Sequence, residues 1–181
     1  MNTMNFVMMN KCKYLILLLL LTLFSCEEDS KRIVGITKSD MKTSMEKANR
    51  YLVNEEEREI ENYIRRHGLE MVSTGTGLRY QILRKGSDEQ LQQGQRISME
   101  YQVGSIAGDV FYSSKNDGVK EFVIGKGEVE SGLDEAVTHF HRGDYGMVII
   151  PAHLGYGLHG DNDRIPEYTT LVYTIKIIES Q

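Results

Sequence analysis

Apolar and polar residues alternate through RISMEYQVG, leaving Ile97, Met99, Tyr101 and Val103 on one side. Period two over that length predicts a half-buried strand. The same alternation runs through GLRYQILRKG, where Leu78, Tyr80 and Ile82 share a face before a Gly-Ser-Asp turn. VFYSS and KEFVIG flank the polar turn Lys115–Gly118, and YGMVIIP and TTLVYTIKIIES follow later in the chain. All four are rich in β-branched or aromatic residues and read as further strands.

Two stretches carry a helical period instead. In ESGLDEAVTHFHRGD, Leu133, Ala136, Val137 and Phe140 fall on one face, which predicts a brief helix. Nearer the start, Met41, Met45, Ala48 and Leu52 recur at four, three and four residues, and Ile60, Tyr63 and Ile64 continue an apolar face. Two arginines and Gly68 in RRHG supply the stop. Asn54 precedes EEE with Glu57 at the capping-box position, so residues 41–68 read as two short helices or one kinked helix. The whole pattern predicts an α+β fold, an antiparallel sheet wrapped over a short helix, behind an N-terminal helical extension.

The first segment stands outside that fold. Lys11 and Lys13 precede YLILLLLLTLF at 14–24, with Ser25 and Cys26 directly after it. A basic start, a short apolar run and a small residue at the boundary describe an export signal. The run is too short for a helix crossing a hydrocarbon core, which needs about 20 residues. LFSC resembles the lipoprotein signal box of bacteria, in which the cysteine is lipidated and becomes the first mature residue. The expected organisation is a lipoprotein signal at 1–25, an acidic and polar tether at 26–40, a helical extension at 41–68 and a globular domain at 72–181. Cys12 leaves with the signal, so no internal disulfide is expected. The expected location is the cell envelope, lipid-anchored and facing the periplasm or the cell surface, at the outer rather than the inner membrane.

The full chain has 21 basic and 26 acidic residues, a net charge of −5. Losing Lys11 and Lys13 with the signal leaves 19 basic residues against the same 26 acidic ones, or −7. A nucleic-acid surface needs a concentrated basic patch, so that class is set aside. GxSxG, a P-loop, a dinucleotide fingerprint, HExxH and an EF-hand loop do not occur. GKGEVESG at 125–132 lacks the ending of a phosphate loop, and Glu128 and Glu130 would oppose a phosphate; it reads as a turn. His139, His141, His153 and His159 have no coherent set of metal-ligating neighbours, so neither a metal nor another cofactor is expected.

EYQVGSIAGDVFYSS, FVIGKGEVESGLDEAV, RGDYGMVIIPAHLGYG and IPEYTTLVYTIKI occur in an order that resembles the FK506-binding-protein (FKBP) type of peptidyl-prolyl isomerase. The resemblance covers roughly residues 72–181. It implies a twisted antiparallel sheet curled around a short helix, with an apolar ligand cleft between them. It also implies rotation about X–Pro amides as the activity, with proline-containing or unfolded exported polypeptides as partners. A lipobox followed by helices and this domain looks like the membrane-anchored isomerases of Bacteroidetes, including those associated with gliding. Oligomerisation through the helical extension is a further expectation, and a noncatalytic chaperone using the same cleft is the alternative.

Residue by residue, the resemblance carries cleft positions to Tyr101, Phe111, Val129, Tyr156, Ile165 and Tyr173. Leu133 stands where many members place a tryptophan at the cleft floor. Glu130 replaces a usual aliphatic residue, at a position whose backbone N–H is the family's ligand contact. Tyr112 departs most, because many active members have aspartate immediately after the phenylalanine. Lys120 occupies a position that is commonly aromatic. The counterpart of Tyr156 points its hydroxyl at a carbonyl of the bound peptide, with Gly155 and Gly157 permitting the tight path.

Overall fold

A computed structural model describes residues 37–180, so the signal segment, Cys26 and most of the tether lie outside the described residues. The chain divides into Met1–Glu46 and Lys47–Gln181. In the first unit, helix α1 (Lys38–His67) begins at a reciprocal cap. Thr37 Oγ1 accepts the Asp40 N–H at 3.1 Å, and the Asp40 carboxylate accepts the Thr37 N–H at 3.2 Å. Each of these bonds satisfies a donor that the first turn leaves without a helical partner. Met41 and Met45 are exposed, at 53% and 61%.

The rest of α1 belongs to the second unit. It ends where Gly68 takes φ +60° and the Leu69 N–H reaches back to the Ile64 carbonyl at 3.1 Å. That left-handed closure suits glycine, which has no Cβ to clash. Residues 41–67 lie in one helix, and Asn54 sits inside it rather than capping a second. The acidic run after Asn54 serves packing instead. Ile60 is fully buried, while Glu57 and Glu61 pair with Arg79, which is only 7% exposed. A buried guanidinium requires such partners, because an unpaired charge would bear its full desolvation cost.

Among the described residues, seven strands form one antiparallel sheet: β1 (Val72–Ser73), β2 (Arg79–Arg84), β3 (Arg96–Ser105), β4 (Val110–Ser113), β5 (Lys120–Val123), β6 (Tyr145–Ile150) and β7 (Leu171–Ser180). Their order is β1-β2-β6-β7-β3-β4, with β5 pairing β3 beside β4. A single turn of helix, α2 (Ser114–Asp117), joins β4 to β5, and α3 (Ser131–Val137) lies between β5 and β6. The period-two face of β3 is the core face: Ile97, Met99 and Val103 are buried and Tyr101 is half-buried. Leu133, Ala136, Val137 and Phe140 fill the same core from the α3 side. Gly132 permits the close approach of helix to sheet, since a Cβ there would sit 2.3 Å from Ile150 Cγ2.

Register then sets the site. Tyr173 on β7 pairs with Val103 on β3, and Val103 pairs with Tyr112 on β4. Directly opposed residues project to one side of an antiparallel sheet, so the three side chains make a row across three strands.

Candidate functional site

The row Tyr173, Val103 and Tyr112 lines a cleft of about 310 Å³, together with Tyr101, Asp117, Lys120, Tyr156 and Asp161. Tyr101 follows from β3 periodicity, two residues before Val103, and its ring lies 6.4 Å from that of Tyr173. Tyr156 comes from the loop between β6 and β7. A 3-10 turn at Ala152–Leu154 opens this loop, and the Gly157 N–H closes onto the Ala152 carbonyl at 2.9 Å. Gly157 takes φ +59° there, a left-handed conformation that a side chain would strain.

Three of the four tyrosine hydroxyls in the cleft, those of Tyr112, Tyr156 and Tyr173, are held by carboxylates. Tyr173 donates to Glu130 Oε1, and Tyr156 donates to Glu130 Oε2 at the longer distance of 3.4 Å. Tyr112 donates to Asp161 Oδ2 at 2.5 Å and to Asp163 Oδ2 at 3.1 Å. Burial, then the neighbouring Glu130 charge, holds the phenol pKa of Tyr156 and Tyr173 above the ordinary value. Burial and the Asp161 bond do the same for Tyr112. All three therefore stay protonated at neutral pH and remain hydrogen-bond donors. Burial pulls the Asp161 carboxyl upward, but the Tyr112 hydroxyl and the N–H groups of Asp163 and Ile165 outweigh it, and its pKa falls below 3.8.

Arg164 ties the rim together. Its guanidinium lies 4.5 Å from the Tyr112 ring centroid, donates to the Phe111 carbonyl at 3.1 Å and meets Asp117 Oδ1 at 3.0 Å. Lys120 places its ammonium 5.2 Å from the centroid of Tyr101. On the far side of the loop, Glu56 of α1 accepts the Ala152 N–H and the Thr170 hydroxyl, both at 2.6 Å. One carboxylate oxygen thus holds the entrance and the exit of the segment that carries Tyr156. A second, larger groove of about 660 Å³ runs beside it, bordered by Leu52 and Val53 of α1 and by Leu158 and Tyr168 of the loop.

Of the residues singled out from the sequence, Tyr101, Tyr112, Lys120, Tyr156 and Tyr173 line the cleft. Glu130 joins it through the hydroxyl groups of two of them. Phe111 and Val129 are half-buried against the core, whereas Leu133 and Ile165 are core residues at 0% and 3% exposure. Val103, Asp117 and Asp161 line the cleft without having been singled out. Period two from Tyr101 is enough to find Val103. The cleft roles of Asp161 and Glu56 leave no local signal, because the partners that define them, Tyr112 for Asp161 and Ala152 and Thr170 for Glu56, lie 49 or more residues away in the chain. Among the described residues, no group of three or more His, Cys, Asp or Glu side chains could hold a metal ion.

An antiparallel sheet packed on one short helix, with an aromatic cleft lined from β3, β4, β7 and the loop after β6, defines a small α+β domain. The family profile described as FKBP-type peptidyl-prolyl cis-trans isomerase matches residues 87–178, just over half of the chain. The protein belongs to that family. FK506-binding protein 2 of Dictyostelium discoideum is 36% identical over 86 residues, 47% of this chain and 65% of the relative. The probable FKBP-type peptidyl-prolyl cis-trans isomerase FkpA of Neisseria meningitidis is 29% identical over 154 residues, 84% of this chain and 52% of the relative. The chain therefore spans less than two thirds of the length of either relative. The crystal structure of FkpA from Escherichia coli aligns with a TM-score of 0.61 and 24% identity, covering 80% of this chain and 66% of that one, and it shows the shared fold.

Proposed function

We propose that this protein catalyses rotation about X–Pro amides in exported polypeptides, at a modest rate, through the tyrosine-lined cleft. The observation that carries the reading is the convergence of Tyr101, Tyr112, Tyr156 and Tyr173 on one cavity of an FKBP-type domain. Partial double-bond character raises the uncatalysed barrier to about 18–20 kcal/mol, and exchange takes tens to hundreds of seconds. The planar amide is more charge-separated than its twisted form. Aromatic walls disfavour the planar form relative to the twisted one, while a tyrosine hydroxyl fixes a flanking carbonyl. Only interactions that strengthen in the twisted state speed the rotation. No proton transfer is required, so Glu128, Glu130 and His159 need no acid or base role.

The modest rate follows from Glu130. Its carboxylate already accepts the Tyr156 and Tyr173 hydroxyls, so a substrate carbonyl must displace it to reach either donor. The same observation favours a second reading, a noncatalytic chaperone that holds a proline-bearing or unfolded segment in the cleft. A protease-free isomerisation assay on proline peptides separates them. Turnover lost in Phe111→Ala and lowered in Tyr156→Phe supports catalysis. Binding of unfolded protein without turnover in the folded chain supports the chaperone.

The cellular setting belongs to the same proposal. The basic start, short apolar run and LFSC support lipidation at Cys26 and an envelope location, at the outer membrane facing the periplasm or the surface. The lipobox followed by helices and this domain supports kinship with the gliding-associated lipoproteins of Bacteroidetes, the acidic tether supports surface display, and α1 offers a surface for self-association. Intact mass of the exported protein tests the anchor. A diacyl or triacyl increment at Cys26 upholds it, and an unmodified cysteine in exported material removes it.

A further inference from the structure

We propose that the cleft prefers prolines standing beside a lysine or arginine and disfavours those beside an acidic residue; this rests on reading the cleft as a proline-peptide site. Asp117 and Asp161 line the cleft, and two further carboxylates, Glu130 and Asp163, accept from its tyrosine hydroxyls, making four. Glu130 is held by tyrosine hydroxyls, and Asp161 by a tyrosine hydroxyl and backbone N–H groups. Neutral donors of this kind stabilise a carboxylate without cancelling its charge. Two cations oppose the four. Arg164 lies 3.0 Å from Asp117 and 3.9 Å from Asp163, and so is already paired. Lys120 lies over the Tyr101 ring and, among the described residues, makes no ion pair. The field in the cleft is therefore negative.

The walls point the same way by a separate route. Tyrosine rings present a negative face that attracts cations. Tyr101 and Tyr112 already hold Lys120 and Arg164 in that manner, so the cleft geometry is compatible with cationic side chains. A cationic neighbour of the proline would meet uncancelled carboxylates and aromatic faces together. An acidic neighbour would meet both with the wrong sign. Over separations of about 6–8 Å near a wet surface, one net charge changes association by about three- to tenfold.

The test uses the purified full chain and two peptide sets, one varying the residue before proline among Lys, Leu and Glu, the other varying the residue after it. Exchange NMR reads turnover, and titration of the same peptides reads binding. We expect Lys over Glu by about three- to tenfold in at least one set at low salt. The ratio should contract towards one near 1 M salt, where the screening length is about 3 Å. It should also contract in Glu130→Gln, which keeps an acceptor and loses the charge. Contraction with salt but not in Glu130→Gln upholds the preference and places its source at Asp117, Asp161 and Asp163. Charge-ordered binding without turnover upholds the inference and removes catalysis. Turnover with a Lys-to-Glu ratio at or below one in both sets, or a ratio that neither salt nor Glu130→Gln changes, overturns the inference and leaves catalysis standing. Neither binding nor turnover with any peptide rejects both.

Discussion

The Tyr112 hydroxyl lies 2.5 Å from Asp161 Oδ2, joining strand β4 to the loop that presents Tyr156. Tyr112 thus acts as a latch between the two. Arg164 reinforces it, stacking on the Tyr112 ring while donating to the carbonyl of the preceding Phe111. Restoring a carboxylate at 112 would set a negative charge against Asp161 and Asp163. The contacts of Tyr112 make it a support for the loop.

Tyr112→Phe keeps the ring and removes the hydroxyl. Hydrogen bonds to charged groups contribute about 1.5–3 kcal/mol, so a loss near the lower end is expected at this half-buried site. Amide exchange at residues 157–165 should rise, with core amides of β3 little changed. Tyr112→Asp should loosen the loop further. Equal protection in both variants and the parent would contradict the latch.

The latch also has an acid limit. The Asp161 pKa is depressed in the fold below its ordinary 3.8. A depressed carboxylate contributes stability that is fully present above the unfolded value and is lost as pH falls through the folded one. Loop amide shifts should therefore hold steady from neutral pH to about 4 and move below it. Asp161→Asn should abolish that acid step in the loop. A loop transition centred near neutrality would contradict the assignment.

Glu56 provides a second hold on the same loop, from the helix side. Glu56→Ala would leave the Ala152 N–H and the Thr170 hydroxyl without their acceptor, a loss of about 1–3 kcal/mol. Denaturant midpoints read the loss, and hydrogen exchange should place it at residues 152–170. A variant as stable as the parent would mean that solvent replaces the carboxylate at both ends of the loop.

Much of the framework is legible because its determinants are local. The Ile97, Met99, Tyr101 and Val103 alternation sets a core-facing strand, and the Leu133, Ala136, Val137 and Phe140 spacing sets the buried face of α3 and its following turn. Periodicity is less informative about what a face meets. Met41, Met45 and Leu52 carry helical spacing yet are exposed, and the Glu run after Asn54 is a docking face rather than a second helix start. In the site, the tyrosines stand out by type and order. The acceptors that fix their hydroxyls do not, because Glu130 and Asp161 meet them only after β4, β7 and the loop have folded together.

Burial separates two residues that the helical patterns treat alike. Leu133→Ala removes a fully buried side chain and should destabilise by about 2–5 kcal/mol. Met45→Ala, on the exposed stripe of α1, should stay within about 0.5 kcal/mol. Urea unfolding of the two variants beside the parent checks the contrast. A large loss in Met45→Ala would show that the stripe is covered in solution.

The most direct measurement is the rate of cis-trans exchange in X–Pro peptides with and without the purified chain, by NMR and without a coupling protease. The proposed function requires exchange above the uncatalysed rate, abolished in Phe111→Ala and reduced in Tyr156→Phe while both variants remain folded. Background exchange across every peptide, in a chain whose unfolding is cooperative and whose loop amides are protected, would contradict it.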